Sequence, residues 1–101
     1  MNQAISVIRK PFLRLHAQDD VLIAIRPLSA GTQLEDAGQT ISLKQAMTPG
    51  HKIATRAIAA GSAVRRYNQI IGFAKQDIQA GEHVHTHNLA FEMFDRDYAV
   101  G

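Results

Sequence analysis

The chain has 101 residues, no cysteine and a formal net charge of +2 at pH 7. Its length predicts one small domain over residues 1–101, and its lack of cysteine excludes disulfides, thiolate metal sites and cysteine nucleophiles. The Lys and Arg residues are spread along the chain, and no apolar stretch approaches the ~18 residues that cross a membrane, so the sequence predicts a cytoplasmic protein with neither a nucleic-acid nor a membrane partner.

The first part of the chain predicts short strands separated by a turn. Residues 4–15 are mostly apolar, and Pro11 interrupts them, which suits an edge strand or the break between two short strands. Residues 16–20 predict a turn whose aspartates bond to their own backbone. Residues 21–25 are apolar throughout, and we therefore expect a central strand there.

The middle of the chain continues with short extended pieces and turns. Residues 35–38 predict a polar turn, and residues 44–47 predict a single helical turn that stops at Pro49 and Gly50. Residues 70–74 predict a strand, and the glycine within it, Gly72, indicates a bulge or a close approach of another backbone.

A short phrase recurs at residues 23–34, 53–64 and 73–84. Each copy holds an Ala-Gly pair and has an aliphatic residue three positions after the glycine. The glycines are Gly31, Gly61 and Gly81, and the aliphatic residues are Leu34, Val64 and Val84. A glycine kept at one place predicts a turn with positive φ, and the apolar residues that flank it are expected to point into a common core. The sequence therefore predicts a mostly β domain of many short strands with little helix.

Residues 50–89 carry several uncommon motifs in a fixed order. The motifs are Gly-His-Lys at 50–52, Ile-Ala-Ala-Gly at 58–61, Arg-Tyr at 66–67, Ile-Gly at 71–72, Asp-Ile at 77–78 with Ala-Gly at 80–81, and Val-His-Thr-His-Asn-Leu at 84–89. This stretch resembles the N-terminal domain of the altronate and galactarate dehydratase family. The resemblance implies a SAF domain with the β-clip fold, a small and mostly β unit also known from sialic acid synthases and from flagellar and pilus assembly proteins.

The resemblance also implies how such a domain works. In this family the domain accompanies a large catalytic part, either in one chain or as a separate polypeptide, and the chemistry removes water from a sugar acid. We therefore expect a small subunit of a carbon–oxygen lyase, with a large catalytic subunit as its partner and a divalent metal, iron or similar, on that partner. The sequence leaves open whether the substrate is altronate, galactarate, sulfolactate or another hydroxy acid, and whether the chain forms a homo-oligomer.

Three of the five histidines lie in the run 83–88, His-Val-His-Thr-His-Asn. In an extended strand, His83, His85 and His87 would project on one side, roughly 7 Å apart, and could converge on a divalent cation. The alternative is an exposed strand face or buried histidines satisfied by backbone. The resemblance implies catalytic roles for His85 and His87, with metal ligation open to them if the partner adds ligands, and it leaves His83 as a surface residue.

Four further residues are candidates for substrate binding: His51, Lys52, Arg66 and Asn88. Lys52 and Arg66 offer positive charge to a carboxylate, and Asn88 offers an amide to a hydroxyl or carboxylate. Each has a plainer alternative, because Asn88 can close a turn, His51 can be structural, and the two cations can be solvated. A stand-alone SAF module without catalysis, either carbohydrate-binding or resembling pilus and flagellar chaperones, is the alternative function.

Overall fold

The computed structural model of the chain describes residues 10–91. These residues contain nine short strands and no helix. The strands are β1 (Phe12–Leu13), β2 (Val21–Ala24), β3 (Gln33–Asp36), β4 (Gln39–Ser42), β5 (Lys52–Ala54), β6 (Ala63–Arg66), β7 (Gln69–Ala74), β8 (His83–Val84) and β9 (Leu89–Ala90). The prediction of a mostly β fold with short strands and little helix is confirmed. This part of the chain contains no helical segment of the length and apolarity that a membrane crossing needs.

A four-stranded antiparallel sheet in the order β1-β2-β5-β8 forms the centre of the fold. Strand β2 lies inside this sheet, as the apolar run predicts, and β1 lies at its edge beside Pro11, as that proline predicts. A hairpin of β3 and β4 and a second antiparallel sheet in the order β9-β7-β6 complete the structure. Residues 4–9 of the predicted first strand region lie outside the described residues.

Two apolar cores lie on the two faces of the central sheet. Side chains alternate along a strand, so Leu22 of β2 joins the core beneath the β3–β4 hairpin while Val21 joins the core beneath the second sheet. Burial on both faces explains why residues 21–24 show no polar alternation. The apolar residues that flank two of the repeated glycines share the second core, as predicted; they are Ile58, Val64, Ile78 and Val84.

Four turns of one type carry the chain from one sheet to another, at residues 29–32, 48–51, 59–62 and 79–82. In each, the N–H of the fourth residue donates to the carbonyl of the first at 3.0 to 3.1 Å, and the third residue is a glycine with φ between 87° and 93°. This is the geometry of a type II turn. The three Ala-Gly turns confirm the prediction, and the fourth, with Pro49 and Gly50 at its centre, is a further copy that the sequence indicated only as a stop.

The two tight hairpins close at other positions. Ala37 and Gly38 join β3 to β4, and Tyr67 and Asn68 join β6 to β7, all four with positive φ as type I′ turns require. The predicted turn at 35–38 is therefore shorter than expected, because its first two residues belong to β3.

The predicted helical turn at residues 44–47 is wrong. Met47 and Leu28 exchange two backbone hydrogen bonds, at 2.8 and 2.9 Å, and form an isolated antiparallel bridge. A single helical turn is poorly stable by itself, so pairing with a distant segment determines the backbone here.

Both expectations for Gly72 are confirmed. The pairing of β6 with β7 shifts register opposite this glycine, between Val64 and Arg65, which marks a bulge. A side chain at Gly72 would also collide with the backbone oxygen of Ala90 in β9. Glycine is thus required where three strands meet.

Replacing Gly81 by alanine should strongly destabilise the fold. Gly81 has φ +90°, and a Cβ atom there would collide with the backbone oxygen of Ser42, so we expect a loss of at least about 3 kcal/mol in the free energy of unfolding. Gly38→Ala is the matched control, because Gly38 has φ +84° but open space around it, and should lose only about 1 kcal/mol. Urea unfolding of both variants measures the difference, and equal losses would show that the close approach does not exist.

Candidate functional site

Four of the five histidines gather on one surface, around His83. The ring centroid of His83 lies 4.0 Å from that of His51, 5.4 Å from that of His85 and 5.8 Å from that of His87. The first two pairs are stacked, with interplanar angles of 19° and 6°, and the third is tilted by 47°. We call these four residues the histidine cluster.

Two segments build the histidine cluster, the turn at residues 48–51 and the run at residues 83–88. His51 ends the turn at 48–51 and leads into β5, whose residue Ile53 pairs with His83 of β8. Strand β8 ends at Val84, so the extended run expected for residues 83–87 is wrong, and a turn follows instead. The structure nevertheless brings His85 and His87 toward His83, together with His51 from the turn that precedes β5.

Residues 85–88 form a closed loop, which we call the histidine loop. The buried side chain of Asn88 accepts a hydrogen bond from the His85 N–H and donates one to the His83 carbonyl, both at 2.9 Å. Lys75 holds the loop from outside, since its Nζ donates to the Thr86 carbonyl at 2.8 Å and its N–H donates to the Asn88 carbonyl at 2.9 Å. The exposed imidazoles of the loop therefore stand on a fixed backbone.

The contacts of Asn88 agree with the turn-closing alternative. Its side chain is 1% exposed, and both of its polar atoms are engaged by the loop backbone. Asn88 thus positions the loop from beneath, and a direct contact of its amide with substrate stays a prediction.

The pKa of His83 is lowered to about 4, mainly because the ring is partly buried. The neighbouring His51, His85 and His87 and the ammonium group of Lys52 lower it further, since each disfavours a second positive charge at this place. His83 is therefore neutral at physiological pH.

The lowered pKa of His83 makes the fold less stable in acid. The unfolded chain, with the ordinary histidine pKa of 6.5, binds this proton more readily than the folded chain, so the free energy of unfolding falls as the pH drops from about 6.5 to about 4. We expect the urea midpoint of His83→Gln to fall less than that of the wild type between about pH 7.5 and about pH 4.5. Parallel curves for the two proteins would contradict the assigned shift.

The remaining predicted residues differ in their relation to the histidine cluster. Lys52 adjoins it on β5. The ring nitrogens of His51 lie 3.1 and 2.9 Å from the N and Oγ1 atoms of Thr48 in its own turn. These contacts agree with the alternative that His51 has a structural role. Arg66 ends β6 in the second sheet, paired with Gln69, and its Nε is buried without a hydrogen-bond partner among the described residues. Substrate binding by Arg66 stays a prediction.

A polar cleft of about 460 Å³ elsewhere on the domain was not predicted. Asp19 accepts hydrogen bonds from the N–H groups of Tyr67 and Asn68 at 2.8 Å, and Asp20 forms an ion pair with Arg56 at 2.8 Å. The sequence indicated that these aspartates bond to their own backbone, but they instead fasten the hairpin of β6 and β7. Their acceptor groups are engaged in holding the fold together.

The histidine cluster does not by itself fit a closed metal site. Within residues 10–91, no group of three His, Asp or Glu side chains is arranged to hold a metal ion. His85 and His87 alone would fall short of the three protein ligands that well-held catalytic sites use.

Comparisons with known proteins agree with the motifs at residues 50–89. The sequence model described as the altronate/galactarate dehydratase SAF domain matches residues 10–92. The chain is 40% identical over 86 residues to the altronate dehydratase of Bacillus subtilis (strain 168) and 41% identical over 86 residues to that of Escherichia coli (strain K12). Each alignment covers 85% of this chain but 17% of the dehydratase.

A shorter relative matches over most of its length. The chain is 34% identical over 83 residues to (2R)-sulfolactate sulfo-lyase subunit alpha of Chromohalobacter salexigens, an alignment that covers 74% of this chain and 88% of that subunit. The chain thus corresponds to a small part of the dehydratases and to nearly the whole of this lyase subunit.

Proposed function

Because the chain belongs to the family of altronate/galactarate dehydratase SAF domains, we propose that it serves as the small subunit of a hydroxy-acid lyase. In this proposal the histidine cluster lines a substrate cleft that a large catalytic subunit completes. The observation that carries the proposal is the presentation of exposed imidazoles on the braced histidine loop. The match to a relative that is named as one subunit of a lyase, (2R)-sulfolactate sulfo-lyase subunit alpha, supports a partner chain.

The chemistry of such a lyase calls for groups on both sides of the substrate. Elimination removes a proton next to a carboxylate and expels a leaving group from the next carbon, so it needs a base, an acid and positive charge near the carboxylate. Imidazole is the commonest general acid and base, and His85 and His87 would exchange protons with the substrate or hydrogen-bond to it. Lys52, beside the histidine cluster, would add positive charge for the carboxylate.

We propose that the divalent metal resides on the large subunit. When bound there, such an ion would stabilise the negative charge that develops on the carboxylate during elimination. The described residues support a metal site on the large subunit, because His85 and His87 alone leave an ion short of protein ligands. Sugar acids and related 2-hydroxy acids are the proposed substrates.

The isolated chain should therefore bind divalent metal only weakly. Calorimetric titration of the full chain with Zn²⁺ and Fe²⁺ measures this, and the His85→Ala, His87→Ala double variant shows which part of any heat belongs to the histidine loop. Sub-micromolar binding that the double variant abolishes would place the metal on this chain.

Affinity capture tests the subunit role. A tagged form of the chain, co-expressed with a candidate large dehydratase-like chain, should retain that chain in a fixed ratio through gel filtration. A chain that elutes alone, whatever large subunit is offered, would refute the proposal and favour a stand-alone binding or assembly module.

A further inference from the structure

His83 is the common neighbour of the other members of the histidine cluster. Each of the three ring–ring contacts within the histidine cluster has His83 as one partner. The resemblance left His83 as a surface residue. In the structure His83 is only partly exposed, and its ring stacks on those of His51 and His85.

The backbone of His83 is itself held from three directions. It pairs with Ile53 across the central sheet, and its carbonyl accepts a hydrogen bond from the Asn88 side chain at 2.9 Å. Its N–H donates to Oε1 of Gln45 at 3.4 Å. By contrast, the side chains of His85 and His87 are exposed and follow the end of β8. Among the imidazoles, His83 is thus the anchored member and the loop histidines are the ones that need a support.

We propose that His83 is a positioning residue of the site, whose ring is the stacking platform that fixes the ring orientation of His85. Flat rings in stacked contact restrict one another's side-chain rotation, and an exposed side chain otherwise samples several rotamers. The catalytic consequence rests on the proposed function, but the ring arrangement does not.

The ring arrangement can be measured on the full chain without any partner. In NMR spectra, the imidazole CH protons of His51 and His85 should show ring-current shifts that His83→Ala removes and His83→Phe, which keeps a flat ring, largely retains. His16→Ala is the control, since His16 has no ring contact with the histidine cluster among the described residues, and it should leave these signals in place. Unchanged His85 signals in folded His83→Ala would overturn the proposal.

Activity of the assembled enzyme gives the second measurement. His83→Ala should lower kcat by about 10- to 100-fold with a smaller change in KM, because misplacing a reacting group by about 1 Å costs up to about 100-fold. His83→Phe should recover activity to within about threefold of the wild type, since positioning needs the ring and not its nitrogens. Equal losses in the two variants would show that a His83 nitrogen acts directly and would overturn the positioning role.

The two proposals fail in different ways. If the wild-type chain and a large subunit show no lyase activity together, the proposed function fails, while the NMR comparison still decides the stacking. If activity is present and His83→Ala keeps it within about twofold, the His83 proposal fails and the proposed function stands.

Discussion

Turnover of a sugar acid should occur only when this chain and a large catalytic subunit are present together. In the described domain His85 and His87 are exposed and Lys52 lies near His83, and no ligand set for a metal occurs within residues 10–91. Elimination needs a base, an acid and charge stabilisation held around one substrate. We therefore expect no detectable 2-keto acid from the chain alone, and a kcat of about 1–10³ s⁻¹ from the complex.

The measurement is formation of 2-keto acid from altronate, galactarate and (2R)-sulfolactate by the chain, by the large subunit and by their mixture. Using all three acids prevents an incorrect substrate choice from being mistaken for an inactive complex. Robust turnover by the chain alone would contradict the subunit role.

Replacing His85 or His87 by alanine should lower kcat/KM of the assembled enzyme by about 10²- to 10⁴-fold, the range for loss of a general acid or base. The loop itself should survive these changes. The hydrogen bonds that His85 makes with Asn88 use backbone atoms of His85, and Lys75 Nζ donates to the carbonyl of Thr86. Alanine at position 85 or 87 therefore keeps all of these contacts.

His16→Ala is the matched control for these variants. The Nδ1 atom of His16 accepts a hydrogen bond from the Gln18 N–H, and its ring makes no contact with the histidine cluster in the described structure. It should leave kcat/KM unchanged. Equal, negligible effects at His85 and His87 would return both to the role of exposed surface residues.

The sequence predicted those parts of the fold that local chemistry determines. Gly31, Gly61 and Gly81 lie in turns because positive φ penalises other residues, and β2 is apolar throughout because both of its faces are buried. The helical turn at 44–47 failed because the partner of Met47 is the distant Leu28. A local sequence pattern does not indicate which remote segments pair with one another.

The candidate site also combines features that local sequence predicts with features that depend on the pairing of remote segments. The spacing of the histidines in residues 83–88 marked His83, His85 and His87 alike, and the family resemblance preferred His85 and His87. The position of His83 depends on its pairing with Ile53 and on the turn that follows Val84. No periodicity indicates that pairing. His51 was predicted as a candidate from its position just before a strand, and the structure places its ring against that of His83 at the start of β5.

The decisive measurement titrates the chain into the large subunit while binding and turnover are recorded in the same samples. Wild-type chain and the His85→Ala, His87→Ala double variant should bind with the same affinity and stoichiometry, but only the wild type should bring turnover to its full rate. Full turnover with the double variant, or by the large subunit with no small chain added, would contradict a substrate cleft lined by the histidine cluster.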